Sequence, residues 1–162
     1  MPPDPEIFAL AKRAGERLRQ HRQWLAVAES CTGGLLGAAL TDVPGSSTYF
    51  LGGLITYADR VKVEQLHVPE EILRRYGAVS EQTAAAMATG VRQLMGADIG
   101  ISITGVAGPS AEDSKPAGLT FIGLAAATRV STYRFQWTGD RWDNRRRSVL
   151  ASLELLVQTL EA

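Results

Sequence analysis

Residues Trp24-Leu25-Ala26-Val27-Ala28-Glu29-Ser30-Cys31-Thr32-Gly33-Gly34 pass from an unbroken apolar run into a glycine pair, after which Leu35 to Leu40 continue in small and apolar residues. A short apolar run without polar interruption is the pattern of a strand buried on both faces. The glycines end it and open a small-residue helix, so the stretch reads as strand, turn, helix. Side chains at such a turn stand beyond the carboxyl end of a strand, where open α/β sheets bind their ligands. Ser30 is one of them.

The same alternation extends outward. From Glu6 to about Gln20, Ile7, Leu10, Ala11, Ala14 and Leu18 recur at helical spacing, behind residues that read as a loose terminus through Pro5. Pro44-Gly45-Ser46-Ser47 is a turn by composition, and Tyr49 to Tyr57 is a strand whose Gly52-Gly53 pair predicts a bulge or a close approach. A charged helix over Asp59–Leu66 follows, then a short one from Pro69 to Gly77. Ser80 is placed to cap a long alanine-rich helix that runs to Met95 and stops at Gly96. Ile99, Ile101 and Ile103 alternate along a strand that ends at Thr104. A loop rich in Gly, Pro and Ser spans Gly105 to Gly118. Leu119–Thr128 and Ser131–Trp137 read as two adjacent strands, and from Asp140 a helix carries Trp142, Val149, Leu153, Leu156 and Leu160 on one stripe. The expected fold is α/β: a three-layer α/β/α sandwich with a mixed, mostly parallel central sheet, in a single domain over 1–162.

Composition narrows the functional classes. Hydrophobic residues make up 45% and charged residues 21% of 162 residues, close to the average for globular proteins. Lys plus Arg equal Asp plus Glu at 17 each, so no broad field steers the chain to nucleic acid or an anionic membrane. The run Arg145-Arg146-Arg147 lies on a helix, where successive side chains diverge and make no single patch. One cysteine excludes an internal disulfide and a cysteine-rich zinc site. No apolar stretch approaches the roughly 20 residues needed to span a bilayer, and no signal peptide opens the chain. The expectation is a cytoplasmic protein without metal or cofactor, and without nucleic-acid or membrane partners.

Gly33 and Gly34 let backbone amides approach a ligand, whether to hold a phosphate or to stabilise an oxyanion; a plainly capped helix is the alternative. A serine nucleophile needs a base, and neither His21 nor His67 is placed to serve. A lysine whose pKa falls on burial is another activator of serine, and Lys62, just over a helical turn beyond Tyr57, is a candidate. Its alternative is a solvated helix lysine. Arg141 and Arg145 share a helix face and form a pair of donor forks suited to phosphate or carboxylate, or else two solvated arginines. The loop from Gly105 is long for its place and so reads as functional or mobile. Cys31 reads as a nucleophile near a helix start, where thiol pKa values fall, or, more often for such a cysteine, as a small core residue; Glu29 reads as an orienter of lysine or a balancing charge. No His, Cys, Asp and Glu cluster has metal-ligand spacing.

In order along the chain stand Ala28-Glu29-Ser30-Cys31-Thr32-Gly33-Gly34, Pro44-Gly45-Ser46-Ser47, Gly52-Gly53 with Tyr57 and Lys62, Gly77-Ala78-Val79-Ser80, Thr104-Gly105-Val106-Ala107-Gly108-Pro109, Lys115-Pro116 and Gly139-Asp140-Arg141. This set resembles the C-terminal domain of the competence/damage-inducible protein CinA, whose stand-alone members are nicotinamide-nucleotide amidases. The resemblance runs from about Val27 to Arg145. It implies hydrolysis of nicotinamide mononucleotide to nicotinate mononucleotide and ammonia, a step of pyridine nucleotide salvage. It further implies Ser30 as nucleophile, Lys62 as its activator, and Tyr57, Thr104 and Arg145 along the site. With it go expectations for backbone amides near Thr32 to Gly34 at the oxyanion, Gly105 beside Thr104, and a phosphate held by Arg145 with Arg141 and the Ser46-Ser47 turn.

Three positions depart from the family's usual pattern: Asp59 stands for Asn, His67 for Gly, and Ser110-Ala111 for a Gly-Gly pair. The changed loop and the family's link to competence motivate a second reading, a non-catalytic accessory or interaction module in competence or DNA-damage response. A third keeps the Ser-Lys chemistry on another carboxamide. Family resemblance and the low charge of Tyr49 to Tyr57 lead to an expected homodimer or larger closed oligomer.

Overall fold

A computed structural model describes residues 2–162. The first helix, α1 (Pro5–His21), is capped by Asp4, whose side chain accepts from the amides of Glu6 and Ile7. Asp4 also accepts from Arg146, so the segment before Pro5 is tied down rather than loose. Then come β1 (Leu25–Glu29), α2 (Leu35–Thr41), a short 3-10 turn (Ser46–Thr48), β2 (Phe50–Ile55), α3 (Asp59–Leu66) and α4 (Glu70–Tyr76). They are followed by α5 (Glu81–Met95), β3 (Ile99–Gly105), β4 (Leu119–Ala125), β5 (Val130–Gln136) and α6 (Arg141–Glu161).

The five strands form one mixed sheet in the order β2-β1-β3-β4-β5. β1 pairs in parallel with β2 and β3, whereas β4 lies antiparallel to both β3 and β5. β4 alone therefore runs against the other four. β1 is buried at all five positions, as its apolar run requires. Its alternate side chains feed two cores: Leu25 and Val27 meet α1, α2 and α6, while Ala26 and Ala28 meet α3, α4 and α5. Helices thus cover both faces of the sheet.

The glycine pair in β2 explains an irregular register. The pairing slips between Leu25 and Ala26, and a Cβ on Gly53 would lie 2.6 Å from the Val27 carbonyl oxygen. Close approach also governs α5, which packs on the sheet where Gly100 and Gly123 present no side chain to the Ala88 and Ala84 carbonyls. The departure at His67 falls at a C-terminal cap in the left-handed region, φ 57°, a place that suits glycine.

A methyl group at position 123 would also come within 2.6 Å of Ser102 Oγ and push α5 off β4. Overpacking of that kind costs about 1–3 kcal/mol. Gly123→Ala is expected to lower the thermal midpoint correspondingly, and an unchanged midpoint in a calorimetric scan would show that α5 has room to shift.

Candidate active site

The site forms where β1, β2 and β3 end together. The Thr56 amide donates to the Glu29 carbonyl and the Ser30 amide donates to the Ile103 carbonyl, so the three strands leave the sheet at one level. Tyr57 then turns the chain into α3, whose first turn brings Lys62 back under the strand ends. The Lys62 side chain is completely buried. Its Nζ lies 3.1 Å from Ser30 Oγ, 2.7 Å from the Thr56 carbonyl oxygen and 3.1 Å from that of Tyr57.

Those three partners suit either protonation state of the amine. An ammonium has three donors and no acceptor, while a free amine has two N–H groups and one lone pair. The two carbonyls and the serine Oγ can accept all three donors of an ammonium; in the neutral form the carbonyls take both N–H groups and the lone pair faces the serine hydroxyl. Burial pushes the Lys62 pKa below its ordinary value, against the smaller opposing pull of Asp59 and Cys31. Burial also pushes the Cys31 thiol up to about 11, which keeps it out of the thiolate form and unfit as a nucleophile.

The segment after Ser30 is held from two sides. The Glu29 carboxylate accepts from the Thr32 hydroxyl at 2.6 Å and from the Leu36 and Gly37 amides at 2.9 Å each, capping α2 from within the core. Glu29 therefore anchors the turn, and among the described residues it forms no hydrogen bond or ion pair with Lys62. From α6, Arg145 donates Nε to the Cys31 carbonyl at 3.1 Å and Nη2 to the Thr32 carbonyl at 3.2 Å. Arg145 stacks on Trp142, its centre 5.1 Å from the ring. The amides of Cys31, Thr32 and Gly34 donate to no group among the described residues. In a trans peptide the N–H points opposite to the C=O. Arg145, drawing the Cys31 carbonyl toward α6, turns the Thr32 amide the other way.

A cavity of about 780 Å³ opens on this arrangement and brings together Ser30, Tyr57, Lys62, Thr104, Gly105 and Arg141. Thr104 donates its hydroxyl to the Ala78 carbonyl at 2.7 Å. Arg141 reaches across the mouth, donating to the Gly108 carbonyl at 2.6 Å and to the Tyr57 hydroxyl at 3.5 Å. The volume falls in the range of small-molecule sites.

Other expected residues lie elsewhere. Thr32, Gly33, Gly34 and Arg145 back the cavity without lining it. Gly33 and Gly34, at φ 59° and 103°, serve the strand-to-helix turn, and Arg145 spends Nε and Nη2 donors on carbonyls. Ser46 and Ser47 precede β2, beside the start of β1, since the Leu25 amide donates to the Tyr49 carbonyl. The length of β1, about 16 Å at the usual rise per residue, separates them from Ser30. They are removed from the phosphate role within one chain. Arg145, Arg146 and Arg147 go to different partners, the last two to Asp4 with Glu6 and to Asp143.

Two contributors were given no role by the sequence, although Lys115-Pro116 is among the motifs of the family resemblance. Asn144 clamps the long loop, donating to the Ala107 carbonyl and accepting from the Gly139 amide, both at 3.0 Å. Lys115 pins the same loop to the Val79 carbonyl at 3.0 Å. Among the described residues no group of three His, Cys, Asp or Glu side chains is placed to hold a metal ion. No helix among the described residues is long and apolar enough to cross a membrane.

A lysine with a lowered folded-state pKa binds fewer protons folded than unfolded, so its contribution makes stability rise with pH between the folded and unfolded values. The difference in unfolding midpoint between the wild type and Lys62→Met should therefore move in favour of the wild type as pH is raised toward 10.5. A pH-independent difference would mean that Lys62 titrates folded as it does unfolded.

With the geometry in view, comparison with known proteins is specific. The family model of the CinA C-terminal domain matches residues 7–160. A CinA-like protein of Desulfovibrio desulfuricans is 51% identical over 135 residues, covering 80% of this chain and 32% of the relative. The chain spans about a third of the length of the curated relatives it matches. Crystal structures of competence-damaged protein (CinA) superfamily proteins superpose closely. That from Klebsiella pneumoniae has a TM-score of 0.93 at 35% identity, over 96% of this chain and 98% of the other. That from Escherichia coli has a TM-score of 0.93 at 34% identity, over 97% and 92%.

Proposed function

The chain belongs to the CinA C-terminal domain family, and from that premise we propose that it is a cytoplasmic amidase that hydrolyses nicotinamide mononucleotide to nicotinate mononucleotide and ammonia. The observation that carries the reading is the fully buried Lys62 amine, 3.1 Å from Ser30 Oγ with two carbonyls taking its N–H groups. An accessory module has no use for such an amine. Burial disfavours the ammonium, which supports a role for the amine as a proton acceptor beside the serine.

Neutral Lys62 takes the Ser30 proton as Oγ bonds to the carboxamide carbon, and the C=O electrons move onto oxygen. The unspent amide of Cys31, which lines the cavity, is the donor at hand for that oxyanion. Lys62, now an ammonium, returns the proton to the amide nitrogen as the C–N bond breaks and ammonia leaves. Water then attacks the acyl-serine, Lys62 takes its proton, and the carboxylate is released with Ser30 restored. Tyr57, 61% exposed at the mouth, offers a flat face to the pyridine ring.

Ammonia release from nicotinamide mononucleotide, with and without a chelator, tests this directly. Release should survive chelation and be abolished in Ser30→Ala. Lys62→Arg, which keeps a charge that cannot be shed, should lose about 10²-fold or more. In the wild type, kcat/KM should climb with pH through the lowered Lys62 pKa, since the base must first lose its proton. Full turnover in Ser30→Ala would end the serine mechanism.

The same reading includes a homodimer or larger closed oligomer. β2 is an edge strand, with Leu51 and Ile55 exposed along it. Light scattering is expected to give at least a dimer at micromolar concentration; a clean monomer there would refute it.

A further inference from the structure

The cavity extends well past the serine and lysine. Thr104 on β3 stands opposite Phe121 on β4, and Phe121 opposite Arg134 on β5, so the three share the α5 face of the sheet in one row. All three line the cavity, as does Arg75 at the end of α4. Neighbouring strands lie about 4.8 Å apart, and three such steps lead from the Ser30 strand to Arg134. A pyridine ring, a ribose and a phosphate laid end to end, met by an arginine side chain, bridge that span.

The arginines of the chain differ in how their donors are used. Arg141 and Arg145 are bound to carbonyls, and Arg13, Arg17, Arg60, Arg74, Arg146 and Arg147 to carboxylates. Among the described residues no hydrogen bond or ion pair holds either Arg75 or Arg134; Arg75 only lies over the Tyr76 ring, 5.6 Å from its centre. These are two donor forks at the cavity wall with nothing to grip. Carboxylates of Glu81, Glu112 and Asp113 line the same region. They accept and do not donate, so they suit sugar hydroxyls, whereas planar guanidiniums suit phosphate oxygens. A wall that offers both is complementary to a sugar phosphate.

We propose that Arg75 and Arg134 form the phosphate seat of this site, so that a ribose 5-phosphate arm lies across β3, β4 and β5 while its amide-bearing ring rests at Ser30. Arg141 then closes the ring end, and Arg145 holds the turn behind the nucleophile. The proposal rests on the amidase reading for the ring end only, because the seat is defined by the sugar phosphate.

Two measurements test it on Arg75→Ala, Arg134→Ala and the double variant. Ribose 5-phosphate should raise the unfolding midpoint of the wild type more than ribose does, and the double variant, with an unaltered midpoint when ligand-free, should lose that extra shift. In ammonia release, the preference for nicotinamide mononucleotide over the dephosphorylated nucleoside, as a ratio of kcat/KM, should fall about 10–100-fold, the usual worth of a charged hydrogen bond. An undiminished ribose 5-phosphate shift or an undiminished ratio in the double variant would overturn the seat. Wild-type protein that releases no ammonia from either compound would overturn the amidase reading instead, and the ribose 5-phosphate shift would still decide the seat.

Discussion

Everything at the site depends on one buried amine. Lys62 has no exposure to water, and its three neighbours are two carbonyl oxygens and one hydroxyl. The backbone supplies both carbonyls, from Thr56 and Tyr57, where β2 gives way to α3. The amine is therefore located by main-chain geometry and cannot drift without unwinding the strand end. No acidic side chain touches it; Asp59 acts only at longer range. The family's usual Asn at that position would remove a pull that favours the ammonium, so this chain works against a slightly more charged background.

The serine is fixed with equal economy. Its loop is gripped from the core by Glu29 and from α6 by Arg145, which bond to different atoms of the same short turn. Glu29 takes the first amides of α2 and so spends them on structure. What remains unspent is the set of amides at Cys31, Thr32 and Gly34. Both grips must hold for those amides to keep their direction, which makes Arg145 a positioning residue although it touches nothing in the cavity.

Much of this was legible in the sequence, and for physical reasons. The apolar run at Trp24 to Ala28 and the alternation at Ile99 to Ile103 announce buried strands because period and burial are local properties. Ser30, Tyr57 and Thr104 could be placed together because strand ends in an α/β sheet converge. Lys62 was within reach for the same reason, one turn past such an end. Ser46 and Ser47 were misplaced because composition marks a turn without saying which end of the sheet it occupies. That Arg145 grips the Cys31 and Thr32 carbonyls could not be read, because spacing shows that two arginines share a helix face but not what their donors meet. Asn144 and Lys115 bond to carbonyls that lie far away in sequence, and no local pattern encodes that.

The reversed strand matters more than its single count suggests. A wholly parallel sheet would continue past β3 through another helical crossover and end in another βα loop. Here β4 returns antiparallel, and its Phe121 lands beside Thr104 on the α5 face. β5 follows through a tight connection and sets Arg134 in the same row. The hairpin thereby extends the floor of the cavity sideways by two strands without adding any segment to roof it. The nucleophile occupies the parallel half, where strand ends and helix starts converge. The antiparallel half adds Phe121 and Arg134 to the cavity wall beyond Thr104, a reach suited to a substrate much longer than its reacting amide.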